Sequence, residues 1–185
     1  MKPVKISNIF SKEELNNLTL ITNSSKKDID PLYGRQKSIK LNLNKNLYAK
    51  LNSIVKEVWD VSLIFGGVNY VEYNKEFGVP FLPPHFDGDS SELIVNFQLS
   101  SNTTWQVGVD LELFTLEDNS AILFHPNESV HWRPNKIFNN GEYVKMMFFR
   151  YSANPPKNYS HMNLSVDDVR FNEINNLRDK IKHIV

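Results

Sequence analysis

His85 and Asp87 stand two residues apart in the stretch Pro83-Pro84-His85-Phe86-Asp87-Gly88. On an extended segment side chains repeat direction at every second residue, so this spacing puts an imidazole and a carboxylate on one face. Together they offer one nitrogen and one oxygen to a divalent metal. A second imidazole from a neighbouring strand would complete two histidines and one carboxylate, which occupy one face of an octahedral ion and leave positions open for reacting molecules. His131 is the downstream candidate for that role. His125 competes with it locally, but it sits at a strand end before Pro126 and reads as a turn residue. Asp89 would break the two-residue spacing, and His161 and His183 fall in a tail and a terminal helix.

Those side chains need a scaffold. A chain of 185 residues suits one domain with a core of its own, and the absence of Cys excludes disulfide frameworks, thiolate zinc sites and Cys nucleophiles. Acidic and basic residues balance at 21 each, which gives no electrostatic footprint for nucleic acid or a membrane surface. No stretch of about 18 apolar residues occurs, and a cytoplasmic, soluble protein is expected.

Taken in order, Val4 to Phe10 reads as a short strand, and Ser11 with Glu14 forms a capping box for a helix carrying Leu15, Leu18 and Leu20. Thr22 to Tyr33 reads as a loop. Asn44 caps a second helix in which Leu47, Tyr48, Leu51, Ile54, Val55, Val58 and Trp59 recur at helical spacing. That stripe calls for a sheet to cover. After Asp60 the period becomes strand-like: Val61 to Phe65 and Val68 to Tyr73, split by Gly66-Gly67, then a loop from Glu72 to Pro84. Glu92 to Ser100 alternates, with Leu93, Val95, Phe97 and Leu99 on one face and Asn96 and Gln98 on the other. A strand with one apolar and one amide-bearing face suits either a wet cavity or a solvated surface.

Further strands are expected at Val107 to Thr115, Ala121 to His125, Ser129 to Trp132, Lys136 to Phe138 and Tyr143 to Tyr151. Turns at Glu117-Asp118-Asn119 and Asn139-Asn140-Gly141 separate them. An irregular tail from Asn154 to Asn163 precedes a last helix, opened by Ser165 and Asp168, with Phe171, Ile174, Leu177, Ile181 and Ile184 on one stripe. The expected fold is mainly β with flanking helices, a jelly-roll core packed on N-terminal helices. It forms one domain, with the core at 61–151, N-terminal helices within 11–60 and a C-terminal helix at 165–184.

This order of elements resembles the Fe(II)/2-oxoglutarate-dependent oxygenases, in their prolyl 4-hydroxylase-like branch, over roughly Val4 to Tyr151. "VKISNIFSKEELNNL" is similar to that branch's first strand and helix, and "VEYNKEFGVPFLPPHFDG" to its Tyr, Gly-loop and His-x-Asp segment. "ELIVNFQLSSNTTWQVGVDLELF" looks like its central strand pair, "AILFHPNESVHW" like the segment delivering the distal His, and "NNGEYVKMMFFRY" like its closing strand.

The resemblance implies a double-stranded β-helix with His85, Asp87 and His131 as the Fe(II) ligands. It also implies 2-oxoglutarate and O2 as cosubstrates, with succinate and CO2 formed as an unactivated C–H is hydroxylated. A peptidyl proline, another amino-acid residue or a small amino acid is the implied substrate. The cosubstrate's far carboxylate needs a cation, which the family supplies from the closing strand shortly after a Gly-x turn. This chain has Tyr143 there, so Lys145 is the first candidate, with Tyr143 adding a hydroxyl. Arg150 would face the other way unless a bulge turned it inward, and Arg133 is a further possibility. Tyr73 matches the family's Tyr before the metal loop, and Asn96 and Gln98 could bond the cosubstrate. Trp105 and Trp132 are read as packing or rim residues. Two other readings stay open: a cupin-like metal enzyme without 2-oxoglutarate, and a non-catalytic jelly-roll binding module.

Overall fold

The computed structural model describes residues 2–38, 41–59, 63–87, 91–153 and 169–181. The expectations placed on Asp89, His161, His183, Ile184, the 154–163 tail and the Ser165–Asp168 helix start lie outside them. β1 (Val4–Ser7) leads into α1 (Lys12–Ser24), which begins in the expected capping box. Glu14 N–H donates to Ser11 Oγ at 3.2 Å, and Ser11 N–H donates to the Glu14 carboxylate at 2.7 Å. Two amides that a helix start leaves bare are thereby satisfied. Leu18 is buried, but Leu20 is exposed, and Ile21 makes the inward contact instead. α2 (Lys45–Val58) is capped by Asn44, whose side-chain oxygen accepts from Leu47 N–H at 3.0 Å.

The strands are β2 (Asp28–Asp30), β3 (Arg35–Ser38), β4 (Leu63–Asn74), β5 (Leu93–Ser101), β6 (Val107–Val109), β7 (Glu112–Phe114), β8 (Ser120–Phe124), β9 (His131–Trp132) and β10 (Tyr143–Ala153). Among the described residues they form two antiparallel sheets. The major one has the order β1-β8-β5-β10-β4-β3-β2, and the minor one β7-β6-β9. α1 and α2 cover the outer face of the major sheet, where Leu18, Leu47, Leu51 and Val55 pack on Val95, Phe97, Met147 and Phe149. A second apolar layer fills the space between the sheets, with Val71, Ile94, Ile122 and Met146 meeting Trp105, Val107 and Val109. This is the jelly roll with helices on one side that the strand spacing predicts. α3 (Val169–Ile181) places Ile174 and Leu177 against Val130 and Trp132. No described helix is long and apolar enough to cross a membrane.

Four local expectations are corrected. Part of the Thr22–Tyr33 loop is the end of α1, and the rest belongs to a β2–β3 hairpin turned by Pro31–Tyr33 and Gly34. Gly34 lies at φ 55°, and a Cβ there would collide with the Val79–Pro80 backbone, so the hairpin turn sits directly on the 78–82 loop. The strand before the metal loop runs unbroken through Gly66-Gly67. The pair absorbs a register shift opposite Arg150/Tyr151 rather than splitting the strand. Val107 to Thr115 is a tight hairpin, β6–β7, because Asp110 takes a left-handed conformation at φ 53°. Lys136 to Phe138 forms no strand; Phe138 instead packs edge-on against Trp105.

β9 is only two residues long, and its pairing with β6 sets His131 opposite Val109 and Trp132 opposite Gly108. The Trp132 indole lies so close over Gly108 that any Cβ there would overlap the ring. Gly108→Ala is expected to displace Trp132 and cost about 1–3 kcal/mol in urea unfolding. The smaller side chain of Trp132→Leu should restore part of that loss in the double variant.

Candidate metal centre

His85 and His131 exchange both backbone hydrogen bonds, His85 N–H to His131 O at 3.1 Å and His131 N–H to His85 O at 2.9 Å. This single antiparallel bridge ties the loop after β4 to β9. Arg133 N–H extends it to Leu82 O at 3.0 Å, and Asp87 N–H reaches Pro126 O at 2.9 Å. The extended run from Leu82 to Asp87 therefore holds His85 and Asp87 on one face, as their spacing predicts. From behind, Phe86 joins the Ile174–Leu177 contact, and Arg178 donates to Pro84 O at 3.4 Å.

The ligating atoms of His85, Asp87 and His131 lie within 4.8 Å of one another. Asp87 Oδ1 is 3.7 Å from His85 Nε2 and 3.3 Å from His131 Nε2. Neighbouring ligands at about 2.1 Å from a six-coordinate ion stand about 3 Å apart, so this donor set fits a divalent metal with little movement. The outer contacts select the correct tautomers. His85 Nδ1 lies 2.7 Å from Pro83 O, and His131 Nδ1 lies 3.3 Å from Ser129 O. A carbonyl can only accept, so each Nδ1 is placed to donate, and with a metal bound each Nε2 would present its lone pair to it.

The same side chains are electrostatically ready for a cation. Burial pushes His85 down to about 4, aided by the neighbouring charges of His131 and Arg35. Burial would raise Asp87, but the His131 hydrogen bond and the charges of His131, Arg150 and His85 prevail and hold it at about 2. Arg150 Nη1 lies 3.7 Å from Asp87 Oδ2, the oxygen turned away from the histidines. One carboxylate oxygen is thus left for the metal and the other for the guanidinium.

A cavity of about 380 Å³ opens in front of the three ligands, floored by the major sheet and roofed by the minor one. Of the sequence candidates, Tyr73, Asn96, Arg133 and Arg150 line it. Asn96 Oδ1 is buried there with no hydrogen-bond partner among the described residues. Lys145, Tyr143 and Gln98 do not line it. β10 is regular against β4 from Tyr143 to Arg150, so Phe148 and Arg150 share the cavity face. Tyr143 and Lys145 share the opposite face with Met147 and Phe149, and the Lys145 ammonium lies 5.0 Å over the Tyr143 ring. Lys145 and Tyr143 therefore do not face the cavity, whereas Arg150 faces it without an inward bulge. Gln98 faces the right way but its amide is taken up by Leu116 O at 2.8 Å and Ser101 Oγ at 2.9 Å. His125 stacks on Trp59 at 4.4 Å, away from the ligands, in agreement with its reading as a turn residue.

Arg133 is the cation that faces the cavity from its deep end. It is 5% exposed, donates to Trp105 O at 2.9 Å and to Met146 Sδ, and stacks 4.4 Å from the Trp105 ring. No carboxylate pairs with it among the described residues. Burial lowers it to about 10, so it remains charged at neutral pH. Arg35 and Lys37 also line the cavity, although sequence reasoning assigned neither a ligand-binding role. Their two-residue spacing in Arg35-Gln36-Lys37-Ser38 was the available signal.

No protein-family model matches the chain, and no curated protein sequence matches it. Solved structures do. HygX from Streptomyces hygroscopicus, with nickel and 2-oxoglutarate bound, superposes with a TM-score of 0.62 at 12% identity over 82% of each chain. SnoK, a non-haem α-ketoglutarate-dependent carbocyclase from nogalamycin biosynthesis, gives 0.65 at 12% over 90% of this chain and 87% of its own. A Pseudomonas putida prolyl-4-hydroxylase gives 0.57 at 9% over 82% and 92%. The chain therefore has the fold of the 2-oxoglutarate-Fe(II) oxygenases, jelly-roll core included.

Without metal, His85 makes stability pH-dependent. Its folded value of about 4 lies below the ordinary 6.5, so the unfolded chain binds more protons between those limits. The contribution is complete above pH 6.5 and is lost as pH falls towards 4. Thermal melts of the metal-free protein across this range should show a falling Tm, and His85→Asn should flatten the slope.

Proposed function

We propose that the protein is an Fe(II)- and 2-oxoglutarate-dependent dioxygenase hydroxylating an unactivated C–H, acting as a single oxygenase domain. One observation carries this reading: three converging metal donors share a cavity with a buried arginine that no carboxylate among the described residues answers. An unpaired buried charge is costly, by several kcal/mol in general, and is expected where an anionic ligand completes it. The shared fold supports the same class.

His85, Asp87 and His131 would hold the ion, with Arg150 keeping the second Asp87 oxygen occupied. Arg133 would grip the distal carboxylate of 2-oxoglutarate, and the Tyr73 hydroxyl is placed to assist. Both side chains flank Trp105, the Tyr73 ring at 4.8 Å and the guanidinium at 4.4 Å. Bound there, Fe(II) and 2-oxoglutarate supply O2-dependent C–H oxidation, with succinate and CO2 as coproducts. Asn96 Oδ1 would accept a hydrogen bond from a molecule in the cavity, while Leu82, Phe124, Phe148 and Trp132 limit water at the reacting positions.

A metal enzyme of this fold without 2-oxoglutarate leaves Arg133 without a use, and a non-catalytic module leaves the inward-facing triad without one. A peptidyl proline or other amino-acid residue is the substrate that the sequence resemblance carries. The same fold serves an epimerase, a carbocyclase and a prolyl hydroxylase, so substrate choice rests on the cavity's own chemistry.

Anaerobic addition of Fe(II) and 2-oxoglutarate should produce a visible metal-to-ligand charge-transfer band. His131→Ala should abolish both the band and succinate release. Arg133→Gln should weaken 2-oxoglutarate binding about 10- to 100-fold, the value of a charge-assisted pair. Lys145→Ala should leave it unchanged. Metal binding without the band, or an Arg133→Gln protein with undiminished affinity, refutes the assignment.

A further inference from the structure

We propose that the primary substrate is a small organic acid whose carboxylate or phosphate is held by Arg35 and Lys37 on β3. The inference rests on the dioxygenase reading and takes it one step further, to substrate class. Among the described residues, four cations line the cavity, Arg35, Lys37, Arg133 and Arg150, against one carboxylate, Asp87. In a chain of zero net charge, that is a local concentration of positive charge. Charges on the metal, Asp87, a 2-oxoglutarate dianion and Arg133 cancel. Arg150 pairs with Asp87. Asp87 is already counted in that sum, so Arg150 and the two β3 cations are the remaining positive charges that line the cavity.

Arg35 and Lys37 share a single acid, and even a single atom of it. Arg35 Nε and Nη2 each lie 3.2 Å from Asp30 Oδ2, and Lys37 Nζ lies 3.0 Å from the same oxygen. Asp30 does not line the cavity; it sits behind, on β2. The set therefore keeps one positive charge in surplus, facing the cavity. Its geometry is also fixed in advance. Asp30 holds one edge of the guanidinium, the Tyr33 ring stacks at 4.6 Å from it, and Nη1 reaches the Tyr73 hydroxyl at 3.5 Å. A guanidinium held on a rigid element in this way loses little freedom when it binds an anion.

Charges on an edge hairpin have a bland explanation, since they prevent strand pairing between molecules. That explanation belongs to β2, the open edge, whereas Lys37, with its side chain 39% exposed, lies on β3, which is paired on both sides. Nor does it account for Arg35, which is 19% exposed and turned inward. Arg35 lines the same cavity as His85 and Asp87. A cavity of about 380 Å³ lies near the lower end of ligand sites, of the order of 300–1,000 Å³, which suits a small molecule beside the cosubstrate.

The test uses anaerobic Fe(II)-loaded protein with saturating 2-oxoglutarate and follows the charge-transfer band. Matched probes are titrated in: N-acetyl-L-proline against its amide, hexanoate against hexanamide, glycerol phosphate against glycerol, and an end-blocked Ala-Pro-Ala peptide. At least one acid is expected to perturb the band with an affinity about tenfold or more above its neutral partner. The pair that responds tells carboxylate from phosphate. In the Arg35→Gln/Lys37→Gln variant, the acid-to-neutral ratio should collapse towards one. Equal response to acid and neutral probes, response to the blocked peptide alone, or no response to any acid overturns the inference while leaving the dioxygenase reading in place. Failure of the band to form at all removes that reading, and this inference with it.

Discussion

Two hydrogen bonds between the backbones of His85 and His131 are the constraint on which the site depends. They belong to no long ladder. One is donated in each direction, and together they bring the imidazole rings to 4.2 Å between centroids. Because the bridge is so short, its persistence must come from its flanks. The Leu82–Arg133 and Asp87–Pro126 backbone bonds extend it at either end, Trp132 anchors β9 on Gly108, and α3 packs on the side away from the cavity. The metal ligands are thus held by backbone pairing, with side-chain rotation limited by the Nδ1 contacts to Pro83 and Ser129. Preorganisation of this kind keeps the donors within a few tenths of an ångström of productive geometry without asking the metal to fold the site.

The second constraint is electrostatic. A buried guanidinium such as Arg133 is destabilising unless something answers its charge, and among the described residues its partners are a carbonyl, a thioether and an aromatic face. Neutral partners of this kind lower the desolvation cost without cancelling the charge. The result is a cavity biased towards anions, which the overall charge balance conceals. Asp87 resists protonation in the same field, so the metal site stays ionised while the deeper wall stays cationic.

Much of this was legible in the sequence, and the failures have physical causes. The capping box at Ser11, the Asn44 cap, the alternation of β5 and the His-x-Asp spacing are local signals, and each appears in the structure. The β2–β3 hairpin was missed because Asp28–Asp30 and Arg35–Ser38 carry almost no apolar residues. They become strands by pairing onto the β4 edge, not by propensity. Lys145 and Arg150 were correctly assigned to opposite faces of the closing strand, but the inward face was misidentified. β10 is buried on both sides, its Met147 and Phe149 under the helices and its Val144 and Met146 between the sheets, so neither face reads as solvent. Parity is local information. Which face looks into the cavity depends on sheet neighbours that a single strand does not encode.

The layout separates two tasks within one cavity. The donors to the metal and the cation at the deep end come from β9 and the segments paired with it, locked by the minor sheet and α3. The wall that carries Arg35 and Lys37 comes from a polar hairpin at the edge of the major sheet, attached through β4 on its inner side. Substitutions on the hairpin can alter charge and shape at that wall with little consequence for the bridge between His85 and His131, since the two share no backbone hydrogen bond. Gly34 sets the limit: its close approach to Val79 and Pro80 couples the hairpin to the loop that leads into His85. Changes at the hairpin's strands can retune what the cavity accepts, whereas changes at its turn reach the metal.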